Sequence, residues 1–284
     1  MLLKKIDRGQ IFLHDQLALF RCPKCQQKMI SAQNYQLRCE QHHHYDLSKK
    51  GTLHFLDHHV KTDYDKEMLG HRQKMIQAGL YEPLLAIMKD LLVEDHVSTL
   101  VDMGCGEGSF LNELANLNVP GVKIGFDISK DGVALATEQE AEAFWCVADI
   151  TNLPFNDDSV SHLLNIFSPS HYGEFHRVLK PGGKVIKIVP ETNYLRELRQ
   201  AFYADDQTKQ SYSNEKVVRK FAEEMNLISE RHLTYTFDVS EELQMDLVKM
   251  SPLHWGASAE SLQKSRAQLI EKITIDLLIL VGCK

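Results

Sequence analysis

The sequence predicts an α/β protein: an open, mostly parallel sheet with helices on both faces, carrying a small N-terminal β module. Three observations predict it. From Thr99 onward, short apolar runs alternate with helix-patterned stretches, as in parallel strands joined by crossover helices. The run Leu100-Val101-Asp102-Met103-Gly104-Cys105-Gly106-Glu107-Gly108-Ser109-Phe110 reads as a buried strand, three glycines at alternate positions, and the first turn of a helix. Finally, Cys22, Cys25 and Cys39 cluster at the head of the chain, while Cys105, Cys146 and Cys283 are scattered.

The 284 residues are enough for one large domain, or one domain and a small module. With 43% hydrophobic and 25% charged residues, the composition is that of a globular protein. No apolar run reaches the length of a membrane span. Met1 to Gln10 carries Lys4, Lys5, Asp7 and Arg8 and has no apolar core before a cleavage site, so no secretory signal is read and a cytoplasmic location is expected. The net charge of −7 argues weakly against a nucleic-acid partner. Its distribution argues the other way. Residues 1–50 hold nine Lys/Arg against four Asp/Glu, +5, which leaves −12 for the remainder.

Taken in order, residues 11–50 suggest short strands around Ile11–Leu13 and Tyr35–Arg38, with too few large apolar residues for a core, so this head needs a staple. A charged bridge runs from Lys49 to about Gly70. Glu67 to Val93 is helix-patterned, interrupted at Gly79, with Pro83 in the first turn of a second helix. Strands are then predicted at Leu100–Met103, Val122–Asp127, Ala143–Ala148, Val160–Phe167 and Lys184–Val189. Between them come helices at Phe110–Leu117, Gly132–Gln139 and Tyr172–Leu179, the last closed by the turn Lys180-Pro181-Gly182-Gly183. A helix at Ser213–Met225 and strands at Ile228–Val239 and Ile273–Val281 complete the chain. The organisation expected is 1–50 module, 51–95 helical linker or cap, and 96–284 catalytic domain.

The glycine turn lets backbone approach a ligand closely, since glycine lacks a Cβ and tolerates positive φ, and the helix behind it offers free N–H groups. The spacing is neither the dinucleotide fingerprint nor a P-loop. A sulfonium cofactor with a carboxylate tail, a ribose and an adenine needs bare backbone, for which Gly104, Gly106 and Gly108 are candidates. It needs an acid for the ribose hydroxyls, and Asp127 ends the second strand nineteen residues past Gly108. It needs a polar group near the adenine amine, and Asp149 ends the third strand. Asp102, the glycines, Asp127, Asp149, Leu153-Pro154-Phe155 and Pro181-Gly182-Gly183, in this order, resemble the pattern of class I S-adenosylmethionine-dependent methyltransferases. That resemblance implies a Rossmann-like, mostly parallel seven-stranded sheet. A nicotinamide-binding or degenerate Rossmann domain is the rival reading.

Cys22-x2-Cys25, thirteen residues, then Cys39 and the run His42-His43-His44 provide a four-ligand zinc set with the fourth place open among three histidines. Four protein ligands leave no open position, so the zinc is expected to be structural. Lys24, Lys28, Arg38, Lys49 and Lys50 around it are candidates for phosphate contacts. Asn165-Ile166-Phe167-Ser168-Pro169 closes the fourth strand. There Phe167 is placed to stack on a base, Ser168 to bond its edge and Pro169 to stiffen the loop. Arg72, Tyr81 and Asn193-Tyr194 are candidates to cover the cofactor.

Together these residues resemble the bacterial 23S rRNA (guanine-N1)-methyltransferases. The resemblance is carried by Cys-x2-Cys…Cys-x3-His, Arg72…Ala78-Gly79-x-Tyr81-x-Pro83-Leu84, the Asp102–Gly108 turn and Phe167-Ser168-Pro169. It continues through Arg177-Val178-Leu179-Lys180-Pro-Gly-Gly183 and Met250-Ser251-Pro252 with Trp255, so it runs from about Cys22 to the C-terminus. It implies methylation of guanine N1 in the loop of hairpin 35, at the peptide exit tunnel near the macrolide site. Guanine 748 is favoured over guanine 745, and the guanine-748 branch can confer tylosin resistance. It also implies His43 as the fourth metal ligand and Tyr81, Gly106, Glu107 and Tyr194 as cofactor neighbours, although some relatives carry histidine at the last position. Catalysis would fall to the Phe167, Ser168, Pro169 loop, with the RNA gripped by the head, the guanine turned out of its stack, and paired subunits expected as a homodimer. A small-molecule methyltransferase and a non-catalytic RNA-binding assembly factor are the alternative functions.

Overall fold

The computed structural model describes residues 3–58, 60, 62–204, 206, 212–256 and 269–284. The chain opens with helix α1 (Lys5–Asp15) and a three-stranded antiparallel sheet, β1 (Met29–Gln33), β2 (Gln36–Cys39) and β3 (His44–Asp46). A two-residue strand β4 (Leu53–His54) and helices α2 (Lys66–Gln77) and α3 (Glu82–Glu94) follow. The alternating part is β5 (Thr99–Met103), α4 (Ser109–Asn116), β6 (Val122–Asp127), α5 (Lys130–Ala136), β7 (Phe144–Val147), β8 (Val160–Ile166), α6 (Tyr172–Val178) and β9 (Leu179–Pro190). The last described elements are α7 (Arg196–Phe202), α8 (Glu215–Glu224), β10 (Asn226–Asp238), α9 (Gln244–Lys249) and β11 (Lys272–Cys283).

The main sheet has the order β10-β11-β9-β8-β5-β6-β7-β4. From β4 to β9 every pairing is parallel, and β11 joins β9 and β10 antiparallel. The chain winds outward from β5 in both directions. The crevice between the ends of β5 and β8 is therefore the switch point, where open α/β sheets bind ligands. The sheet has eight strands rather than seven. The eighth, β4, comes from the charged bridge and pairs Leu53 with Cys146 at the edge. The turn expected at residues 180–183 is a bulge within β9: the ladder passes from Val160–Leu179 directly to His162–Lys184, and Gly182 has φ +74°.

A second difference lies at the head, where Ile11–Leu13 belongs to α1 rather than to a strand. Its buried face is Gly9 and Leu13, at helical spacing. A Cβ on Gly9 would lie 2.8 Å from the Gly51 carbonyl oxygen, so the glycine lets the helix settle on that turn. The head has no core of its own. Phe12 stacks on Phe144 at 4.6 Å, and Phe20 touches Phe55, Phe144 and Phe155, so its apolar residues continue the core under β6 and β7. Arg21 pairs with Asp157 at 3.2 Å, and Arg177 holds both Asp157 and Glu174. No helix among the described residues is long and apolar enough to cross a membrane.

Candidate active site and metal centre

Beyond Met103 the chain turns through Gly104 (φ +76°), Gly106 (φ +54°) and Gly108 (φ +80°). The amides of Gly104 and Cys105 both donate to the Phe126 carbonyl, which closes the turn over β6. The Gly106 amide donates to Asp127 Oδ2 at 2.8 Å, and the Ser129 amide donates to Oδ1 at 2.7 Å. The three glycines serve different ends. A Cβ on Gly104 would meet the Ser168 side chain at 2.9 Å, and one on Gly108 would meet Trp145 at 2.7 Å and Ala136 at 2.9 Å. At Gly106 only Leu69 comes within 4 Å, at 3.5 Å. Gly106 is therefore the bare backbone facing the cleft, while Gly108 allows α4 to pack close to the sheet.

That cleft, about 300 Å³, lies over the switch point. Gly104 and Gly106 form its floor. Ile128, Ala148 and Ile150 make an apolar wall beside Asp127, Phe167 stands opposite, and Tyr64, Leu69 and Arg72 cover it. A small deeper recess adds Asp102 and Glu107, again with Arg72 on its wall. Three enclosed acids thus face one enclosed cation. Burial lifts the Asp102 carboxyl to about 7, with the Glu107 and Asp127 charges adding to the effect. Burial also raises Glu107 and Asp127. Burial opposes the charge on Arg72, but Glu107 and the surrounding tyrosines hold its pKa above the ordinary value. Its guanidinium lies 5.7 Å above the Phe167 ring, and among the described residues it has neither a hydrogen bond nor an ion pair.

Phe167 sits in the left-handed region (φ +53°), a conformation that costs a bulky residue about 1–3 kcal/mol and persists where its surroundings enforce it. Two devices do so. Tyr81 and Tyr194 flank the ring at 5.7 and 5.6 Å and share a 2.5 Å hydroxyl–hydroxyl hydrogen bond. Below the loop, fully buried Asn165 donates to Ser168 Oγ at 2.6 Å and to the Pro169 carbonyl at 2.7 Å. Ser168 Oγ in turn donates to the Met103 carbonyl. Lys187, in register with Asn165 on β9, donates to Asn165 Oδ1 and to Ser170 Oγ, and burial brings its ammonium down to about 8.

The structure therefore brings Asp102, Gly104, Gly106, Glu107, Asp127, Phe167, Ser168 and Pro169 to one cleft. Tyr81 and Tyr194 stand behind Phe167 as a buttress. Asp149 is not on the cleft wall: its Oδ1 accepts from both the amide and the hydroxyl of Thr151 at 2.8 Å, while its neighbours Ala148 and Ile150 face the cleft. Asp157 and Asp158 belong to ion pairs with Arg21, Arg177 and Lys284 at the foot of β8. Sequence reasoning missed the lining residues Tyr64 and Leu69 and the Asn165–Lys187 support.

At the head, the ligand atoms of Cys22, Cys25, Cys39 and His43 lie within 4.8 Å of one another. Cys25 and Cys39 sulfurs are 3.7 Å apart, and His43 Nδ1 is 3.5 Å from Cys22 and 3.6 Å from Cys39. A tetrahedral ion with metal–sulfur bonds of about 2.3 Å needs sulfurs roughly 3.8 Å apart, close to the Cys25–Cys39 spacing, so the donor set suits one ion. His42 is turned away to Arg38, at 2.6 Å. The knuckle is tied to the catalytic domain: Asn152 donates to the Pro23 carbonyl and accepts from Gln26.

A methyltransferase domain model matches residues 101–187, which spans β5 to β9. Over the full length the chain is 37% identical to Bacillus subtilis YxjB, whose name places it among the 23S rRNA (guanine-N1)-methyltransferases; the match covers 94% of this chain and 98% of that protein. The chain belongs to the 23S rRNA (guanine-N1)-methyltransferase family. Two further relatives carry the family's name at lower identity. The 23S rRNA (guanine(748)-N(1))-methyltransferase of Streptomyces fradiae is 25% identical, with 90% of this chain and 93% of that one covered. A Micromonospora griseorubida protein bearing the family name is 26% identical, with 92% and 95% covered. The match to YxjB covers 94% of this chain, which leaves too few residues outside it to exclude the metal cluster or the glycine turn.

Proposed function

We propose that this protein transfers a methyl group from S-adenosylmethionine to N1 of a guanine in the hairpin 35 loop of 23S rRNA, at the guanine 748 site rather than guanine 745. The observation that carries the reading is the full-length relationship, which includes the metal-ligand head as well as the catalytic domain. The Streptomyces fradiae relative, named for guanine 748, supports the choice of position.

The residues of the cleft suit that cofactor. Gly106 leaves backbone bare for it. Each Asp127 oxygen accepts one amide and keeps a lone pair for a ribose hydroxyl. Ile128, Ala148 and Ile150 give an adenine an apolar slot. Asp102 and Glu107 supply negative charge for the sulfonium and ammonium groups, and unpaired Arg72 suits the carboxylate tail. When bound, the cofactor supplies an activated methyl group. The chain's own contribution is to orient the base against Phe167 and to exclude water from the meeting point. The Cys22, Cys25, Cys39 and His43 cluster holds zinc as a closed structural site and stiffens the basic head that meets the RNA. Hairpin 35 is then gripped between paired subunits of a homodimer.

Purified protein incubated with labelled cofactor and unmodified 23S rRNA tests the reading. Label should enter the RNA, and primer extension should stop at the hairpin 35 guanine. A stop elsewhere, or no incorporation, would falsify the assignment.

A further inference from the structure

Two large aromatic residues stand exposed at the mouth of the cleft. Tyr64 is 39% and Trp255 45% accessible, although they come from opposite ends of the sequence. They meet edge to face at 5.3 Å. Tyr64 lines the cleft itself, so the pair continues the cleft wall outward. Neither the Tyr64 hydroxyl nor the Trp255 indole N–H has a hydrogen-bond partner among the described residues. Side by side, the two rings make a contiguous aromatic patch that adjoins the cleft.

The mounting is firm. Trp255 lies in a short 3-10 turn, Pro252–Gly256, where the Tyr203 hydroxyl donates to the Leu253 carbonyl at 2.5 Å and His254 Nδ1 donates to the Ser251 carbonyl at 2.6 Å. The turn follows α9, which is bound to α2 by His71–Asp246 at 2.6 Å, Lys74–Asp246 at 3.3 Å and Lys249–Glu67 at 2.5 Å. Helix α2 also carries Leu69 and Arg72 of the cleft cover. The turn that carries the indole is thus anchored beside the cleft cover.

We propose that Tyr64 and Trp255 form a stacking platform for an unpaired base of the substrate RNA, next to the base that enters the cleft. This rests on the rRNA reading above. A base turned out of a hairpin loop leaves its neighbours unstacked, and an aromatic face beside the cleft replaces the lost stacking whatever the base's identity. Continuity with the cleft sets the position, and the free N–H and O–H allow the platform to bond a base edge or phosphate as well as stack.

The chain has two tryptophans, Trp145 buried at 5% and Trp255 exposed, so acrylamide quenching of the full-length protein reports on Trp255 alone. The probe is a synthetic hairpin 35 transcript, with binding followed independently by filter retention. Binding should shield the quenchable emission. Trp255→Ala should raise the KM for the hairpin about tenfold, in keeping with the cost of losing one stacked base, and leave cofactor affinity unchanged, while Trp255→Phe should recover most of the loss. If the hairpin binds but quenching and KM do not move, the platform is refuted and the functional reading stands. If Trp255 is already shielded in the free protein, its own chain covers it, and the proposal is again refuted. A protein that neither retains nor methylates the hairpin overturns the functional reading, and the platform with it.

Discussion

Cofactor affinity should fall as the medium is acidified through neutrality, with the Asp102 carboxyl as the cause. Burial beside Glu107 and Asp127 lifts that carboxyl to about 7 in the free protein. A cationic ligand in the adjoining recess favours the ionised form, so binding releases a proton wherever Asp102 is still protonated. About nine-tenths of the carboxyl is ionised at pH 8 and about one-tenth at pH 6, so Kd should rise roughly tenfold between them, ~1.4 kcal/mol. Calorimetric titration at both pH values measures this. Asp102→Asn should bind more weakly at pH 8 and lose this component of the pH dependence. The ligand's own amine titrates alike in both proteins, so the comparison isolates the carboxyl. A neutral amide carries no charge for burial to oppose, so the variant should melt no lower than the native chain at pH 8. Identical pH dependence in the two proteins, or tighter native binding in acid, would refute the reasoning.

Both glycines hold left-handed backbone, which costs an alanine about 1–2 kcal/mol, but Gly106→Ala should still fold and lose cofactor binding, because its Cβ enters the cleft, whereas Gly108→Ala should unfold more easily, by about 2 kcal/mol or more, because its Cβ also meets Trp145; calorimetry and thermal melts separate the two. Asn165→Leu should lower stability by about 1–3 kcal/mol by leaving the buried Lys187 ammonium with Ser170 as its one hydrogen-bond partner among the described residues, and the double variant with Lys187→Met should regain part of it in denaturant titrations. Cys39→Ala should abolish a zinc content of one ion per chain and lower the melting temperature, while Cys146→Ala, at a buried thiol outside the cluster, should leave zinc content intact by metal analysis.

The central strands were legible because parallel strands buried on both faces read as unbroken apolar runs; β5 is buried at every position. The head was less so. Ile11-Phe12-Leu13 is too short to distinguish a period of two from one of 3.6, and the contact that fixes α1 is between two glycines, Gly9 and Gly51. Strand β4 spans two residues and carries no pattern at all. The glycine turn pointed to the cleft, but not to how its glycines divide the work, because that depends on Trp145, Ser168 and Leu69 arriving from elsewhere. Asp149 illustrates the converse: a strand-end acid in the expected place, with Thr151 two residues on, closes a local turn. Arg72 was visible as a cation on a helix, yet its want of a partner is a property of the folded cleft alone.

The most direct test of the account is the modified nucleotide itself. Nuclease fragments of 23S rRNA from cells with and without this gene, compared by mass spectrometry, should differ by one methyl group on N1 of a single hairpin 35 guanine. The difference should vanish when the native gene is replaced by one encoding Gly106→Ala. Identical fragments from both cells, or a methyl group on another nucleotide, would contradict it.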